Sequence, residues 1–183
     1  MQSKIETKIK YISEMPQKQI EELKESIKFV SIKVTTENIE RMKKTDPNRP
    51  ESMTYFDEIS NFFGQREKEI RIAKEEGKKV IGYTCMFAPI ELILAADAIP
   101  VRITSGWYDA SKIGDRIVPV EVCPIIRSTI GAKIVGLSPY LELSDAIINA
   151  LTCDGMTKLS EILSDYKPVW TICPPRVKDT SQS

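Results

Sequence analysis

Cys85, Cys123 and Cys153 fall in three separate turns: Gly82-Tyr-Thr-Cys-Met-Phe-Ala-Pro89, Pro119-Val-Glu-Val-Cys-Pro124 and Leu151-Thr-Cys-Asp-Gly155. Each turn follows an extended apolar stretch and precedes a run of helical character. In an open α/β sheet that is the edge outside the carboxyl ends of the strands, where ligands collect. The chain holds no histidine. A His-containing zinc site, a Ser-His-Asp triad and a Cys-His nucleophile pair are therefore excluded within it. Three thiols converging on one edge without histidine point to an iron–sulfur cluster. A sulfur-ligated zinc ion is the alternative, because soft thiolates accept both metals. A cysteine beside a helix start lies at the positive end of the helix dipole, which favours thiolate, and Cys123 and Cys153 fit that position. The separations of 38 and 30 residues are too wide for a zinc knuckle or a ferredoxin run. The fold itself must gather these ligands.

Taken singly, each cysteine is as well explained as a small buried residue. Cys173, at the end of an apolar run before Pro174-Pro175, is read as structural or peripheral. Asp154 is placed to cap the helix that follows Cys153. Glu91, an acid near the start of an apolar helix, is read as structural and dipole-stabilised. Asp145 reads as a turn residue. The stretch 152–158 lacks the glycine spacing of a phosphate loop. Residues 105–109 (Ser-Gly-Trp-Tyr-Asp) read as a mobile loop at the same edge, whose two aromatics could cover a site or serve an interface.

The elements that must position these residues change in kind along the chain. Residues 1–76 read as a helical segment. A helix spans 17–29, with Ile20, Leu23 and Ile27 as its apolar positions. A second opens at Thr35 or Thr36 as N-cap. Prolines break the chain in 44–52. Tyr55, Phe56, Ile59, Phe62, Phe63, Ile70 and Ile72 then recur at near-helical spacing up to Gly77, a natural stop. From 77 to 175 short strands at 80–84, 99–104, 146–151 and 169–173 alternate with helices at 89–96, 124–133 and 156–163. That alternation predicts an α/β lobe: a four-stranded parallel, Rossmann-like sheet with helices on both faces. The polar tail 176–183 is expected to be disordered.

Composition bounds the function. The 183 residues allow one real core with a small appendage. The 26 basic and 26 acidic side chains cancel, so no charge excess argues for nucleic acid or an anionic membrane as partner. No apolar run approaches a membrane span, and the Lys- and Glu-rich start lacks a signal-peptide core. A cytoplasmic location is expected, where cysteines serve metals or catalysis more often than disulfides.

The ordered stretches Gly82-Tyr-Thr-Cys85, 88–101 (Ala-Pro-Ile-Glu-Leu-Ile-Leu-Ala-Ala-Asp-Ala-Ile-Pro-Val), Cys123-Pro-Ile-Ile-Arg-Ser128, Ser138-Pro-Tyr140, Ser144-Asp145 and Thr152-Cys-Asp-Gly155 resemble the 2-hydroxyacyl-CoA dehydratase / benzoyl-CoA reductase family. The double-cubane-cluster branch is the closest. The resemblance covers 78–175. It implies Rossmann-like lobes that hold an oxygen-sensitive iron–sulfur cluster through cysteines, here Cys85, Cys123 and Cys153. It also implies electrons from an ATP-hydrolysing activator protein, an acyl-CoA or small-molecule substrate, a second lobe or subunit, and an oligomer. Family chains are about twice as long, so this one resembles an N-terminal half. Where double-cubane relatives carry a cysteine after the second strand, Ile103-Thr104-Ser105 stands here. Three thiolates would hold one 4Fe–4S cluster with an open fourth site, or half of a shared one. The expected role is an iron–sulfur subunit or fragment of a dehydratase or low-potential reductase. A non-catalytic binding or assembly module is the alternative.

Overall fold

The computed structural model describes residues 16–46 and 48–175. The chain divides into two compact units, which meet in sequence at Gly77 and Lys78.

In the first unit, α1 (Gln17–Thr45) is one continuous helix. The stretch contains neither proline nor glycine. Ion pairs of Lys18 with Glu22, Lys24 with Glu21 and Lys33 with Glu37 lie along its surface, each worth a few tenths of a kcal/mol at most, about 0.3. The expected cap at Thr35 or Thr36 is therefore corrected. Thr36 Oγ1 donates to Ile32 O at 2.9 Å within the helix, which satisfies the hydroxyl without ending the helix. The proline loop after α1 is fastened by Asp57, which pairs with Arg49 and lies 3.5 Å from Lys43 Nζ. The single helical run expected up to Gly77 is two helices, α2 (Met53–Ile59) and α3 (Gln65–Glu75). Asn61 breaks it: its Oδ1 accepts from Phe63 N at 3.0 Å and its carbonyl from Gly64 N at 3.0 Å. An asparagine that bonds its own backbone competes with the helical ladder. Gly77 does follow the end of α3, with a φ of 94° that favours glycine.

The second unit runs β1 (Val80–Tyr83), α4 (Ile90–Ala95), β2 (Ile99–Arg102), α5 (Tyr108–Gly114), α6 (Pro124–Ile134), α7 (Pro139–Leu143), β3 (Ala146–Ala150), α8 (Asp154–Ser164) and β4 (Val169–Ile172). All strand pairs are parallel, in the order β2-β1-β3-β4. The expected four-stranded parallel sheet is thus present. β3 lies centrally and reads Ala-Ile-Ile-Asn-Ala, nearly all buried, as a strand covered on both faces must be. Asp145 does more than turn the chain. Its Oδ2 accepts from Val80 N at 2.8 Å and its own N–H donates to Val80 O at 2.7 Å, which locks the start of β3 to β1.

From β1 the chain steps outward to β2, then crosses back over β1 to β3 and on to β4. With the right-handed crossovers that parallel strands adopt, this order places α4 on one face and α6 and α8 on the other. Val80, Ile103, Ile126, Ile147, Leu159 and Leu163 fill the core.

Two helices were not anticipated from sequence. α7 is opened by Ser138, whose hydroxyl accepts from Leu141 N at 3.3 Å, with Pro139 in its first turn. α5 begins inside the stretch expected to be a mobile loop. Residue 105 there is buried: Ser105 N donates to Thr129 Oγ1 at 3.0 Å and its hydroxyl meets Ser128 Oγ at 2.8 Å. Ser128 Oγ in turn donates to Trp107 O at 2.9 Å. These bonds seat the segment on α6 and correct the mobile-loop expectation.

Candidate functional site

The strand order reverses between β1 and β3, and in open α/β sheets ligands bind outside the carboxyl ends of the strands at such a switch point. Cys85 stands two residues beyond β1 and Cys153 three beyond β3. Cys123 directly precedes α6, and its carbonyl accepts from Ile126 N and Arg127 N at 3.0 and 3.1 Å. The Cys123 and Cys153 turns abut at Gly155. A β-carbon there would lie 3.8 Å from both Cys153 Sγ and Val122 Cγ1, and 2.5 Å from Ile126 Cδ1. Any side chain there would require the Ile126 Cδ1 methyl to move aside, so glycine lets α8 start this close to α6.

Each turn has its own support. Arg127 Nε donates to Val122 O at 2.8 Å while its Nη1 pairs with Asp115, which holds the backbone just before Cys123. The Cys153 carbonyl accepts from Thr157 N at 3.1 Å in the first turn of α8. The Cys85 carbonyl accepts from Ala88 N at 3.0 Å. Cys123 and Cys153 occupy N-cap positions without a side-chain capping bond. All four cysteines are free, with Cys85 half-buried and the others exposed.

Cys173 is exposed, outside the core. It follows β4 directly, where Leu151 N donates to Ile172 O at 2.8 Å. It therefore stands at the same edge, on the flank of the sheet. Glu91 is exposed in the first turn of α4, as a dipole-stabilised surface acid would be. Asp154 opens α8 but makes no N-cap; Cys153 holds that position.

Sequence reading missed Asn149. It is fully buried in β3. Its Oδ1 accepts from Thr84 Oγ1, and its Nδ2 donates to Met156 O at 2.7 Å and to Ser160 Oγ. The signal was available: an amide in the middle of an apolar strand that must be covered on both faces needs partners.

The donor set is sulfur-rich, which suits iron in sulfide clusters or zinc. Among the described residues, however, no three His, Cys, Asp or Glu side chains are grouped so as to hold a metal ion. The turns share an edge without forming a finished coordination shell. Among those residues, too, no helix is long and apolar enough to cross a membrane.

A family model described as the D-component of 2-hydroxyglutaryl-CoA dehydratase matches residues 85–183. That is more than half of the chain, and it begins at the first cysteine of the edge. The chain belongs to the 2-hydroxyglutaryl-CoA dehydratase D-component family. Among this family's relatives, the chain is 34% identical over 107 residues to "Putative dehydratase subunit YjiM" of Escherichia coli (strain K12), covering 58% of this chain and 28% of that protein. It is 33% identical over 87 residues to a benzoyl-CoA reductase subunit of Thauera aromatica, covering 47% of this chain and 22% of that one. The matched part thus spans only 28% and 22% of these two relatives' lengths. The family resemblance expected from the motifs is shown.

Proposed function

We propose that this chain is the cysteine-bearing lobe of a low-potential dehydratase or reductase system, in which Cys85, Cys123 and Cys153 ligate an iron–sulfur cluster. The observation that carries the reading is the placement of three cysteine turns around one switch-point edge in a member of this family. Bound there, a cluster would supply one-electron chemistry and an iron able to polarise a carbonyl or hydroxyl oxygen. The chain's own contribution is to hold three thiols on short turns, with Arg127 and Gly155 keeping the Cys123 and Cys153 turns together. Further ligands come from a second lobe or subunit. An acyl-CoA or related small molecule is the substrate and an ATP-hydrolysing activator the electron donor, in the cytoplasm.

The test is iron and acid-labile sulfide in protein purified without oxygen. About four irons per chain with a broad brown absorption is the expected result. Single Cys85→Ala, Cys123→Ala and Cys153→Ala variants are expected to lose most of it. A colourless protein after reconstitution with iron and sulfide sinks this reading. The absence of a finished three-donor group among the described residues favours a second reading, a non-catalytic binding or assembly module. A folded, iron-free protein that still captures a full-length relative would support it. Tight zinc uptake with no iron uptake would replace the cluster by a structural zinc site.

A further inference from the structure

We infer that Asn149 is a positioning residue that fixes the Cys85 turn against the Cys153 turn, with Thr84 as its link to the first. Its purpose rests on the iron–sulfur reading above; its geometry does not. Tyr83 pairs with Ile148 in the parallel register, so Thr84 and Asn149 are the next neighbours across the switch point. Both side chains are buried. The carboxamide has two donor positions and an acceptor oxygen with two lone pairs; both donors and one lone pair are used. The oxygen takes the hydroxyl of Thr84, the residue immediately before Cys85. The nitrogen gives one bond to Met156 O, in the first turn after Cys153, and one to Ser160 Oγ one turn further along α8. One side chain thereby joins the end of β1, the carboxyl end of β3 and the start of α8.

An isoleucine or valine would suit this strand without any polar cost. A buried amide bonded through both its oxygen and its nitrogen instead constrains direction, since each bond holds only in a narrow geometry. The constraint falls on the two turns that carry thiols on either side of the β1/β3 switch point. Cys123 lies outside the network and is held separately through Arg127. The two supports are thus separable by mutation.

The test has two readouts. In reduced, cluster-free protein, the rate at which iodoacetamide alkylates each cysteine is followed by mass spectrometry. Thr84→Val keeps the shape and removes one bond. It is expected to raise the Cys85 rate about five-fold, the factor that loss of one net hydrogen bond gives in a local opening equilibrium. Cys123 is expected to stay unchanged, and Thr84→Ser to restore the wild-type rate. Asn149→Asp sets an acceptor against Met156 O and is expected to raise Cys85 and Cys153 together. In protein reconstituted with iron and sulfide, Thr84→Val is expected to keep its iron while the electron paramagnetic resonance signal of the reduced cluster shifts. Unchanged alkylation rates overturn the inference, as does an equal rise at all four cysteines, which would mean general loosening. An unshifted signal in iron-loaded Thr84→Val overturns it too. If the wild type takes up no iron but Thr84→Val still exposes Cys85 selectively, the cluster reading falls and the positioning role of Asn149 stands.

Discussion

Tyr166, just past the end of α8, shows how one side chain can carry a pH dependence. Burial, and after it the negative charge of Asp165, raise its hydroxyl above the ordinary value of 10.0. Lys133 Nζ sits 5.0 Å over the ring. Once the pH passes 10.0, an unfolded tyrosine ionises while the folded one keeps its proton. The folded state then binds more protons than the unfolded state, so stability falls with rising pH. The contribution is whole below pH 10.0 and is lost as pH rises through the higher folded value. Tyr166→Phe is expected to flatten this alkaline loss. Urea unfolding of both proteins at about pH 8 and about pH 11 checks it; equal losses in the two would refute the assignment. Tyr166, still 37% exposed, was not legible as special in sequence because Lys133 is brought to it by another element, and Asn149 showed only as an amide in an apolar strand, its partners Thr84, Met156 and Ser160 lying elsewhere in the chain. Cys85 and Cys153 were legible because a strand-to-helix turn is a local property; Cys123, expected to follow an extended stretch, instead lies in the connection from α5 to α6, and only its place before the helix start was read correctly.

At the scale of elements, α5 and α6 pack with their backbones in close approach. A β-carbon on Gly131 would come 1.8 Å from Ala110 O, and one on Gly114 would come 2.0 Å from Arg127 O. The two backbones touch, with glycine on both sides. Gly131→Ala is expected to destabilise the lobe by about 3 kcal/mol, the upper range for overpacking a close contact. The loss should appear as a lower urea midpoint at unchanged slope. A change below about 0.5 kcal/mol, the usual effect of a neutral surface substitution, would show that the helices can part at little cost. The helix α5 escaped sequence reading for a related reason. Its residues Tyr108, Asp109 and Lys112 are exposed, and its apolar face is short. α6 and the Ser105–Ser128–Trp107 bonds hold it in place more than its own pattern does. The reverse error occurred in α1, where a local cap signal at Thr36 lost to an uninterrupted helical stretch.

At the scale of the whole lobe, strand order decides which cysteines can share a site. β1 and β3 are neighbours at the switch point, and β4 is on the flank. Cys173 is therefore expected to stay out of the cluster although it stands at the same edge. Cys173→Ala should retain its iron and sulfide where Cys153→Ala loses most of both. Equal loss in the two would move the site one strand along and make the flank part of it. Metal analysis of the two variants prepared side by side measures this.

Sequence alone determined the class of this lobe. Alternating short apolar runs and proline- or glycine-opened helices can bury their faces only as a covered parallel sheet, and the ordered cysteine motifs carried the family. It also placed three thiols at turn positions, since a strand end and a helix start are both written locally. Tertiary structure decided the rest. The order β2-β1-β3-β4 makes Thr84 and Asn149 neighbours, although 65 residues separate them. The same fold sets Gly155 against Ile126 and seats the 105–109 stretch on α6. Those contacts arise between segments distant in the chain, so no window of sequence contains both partners. Only the register of the folded sheet determines which of them meet.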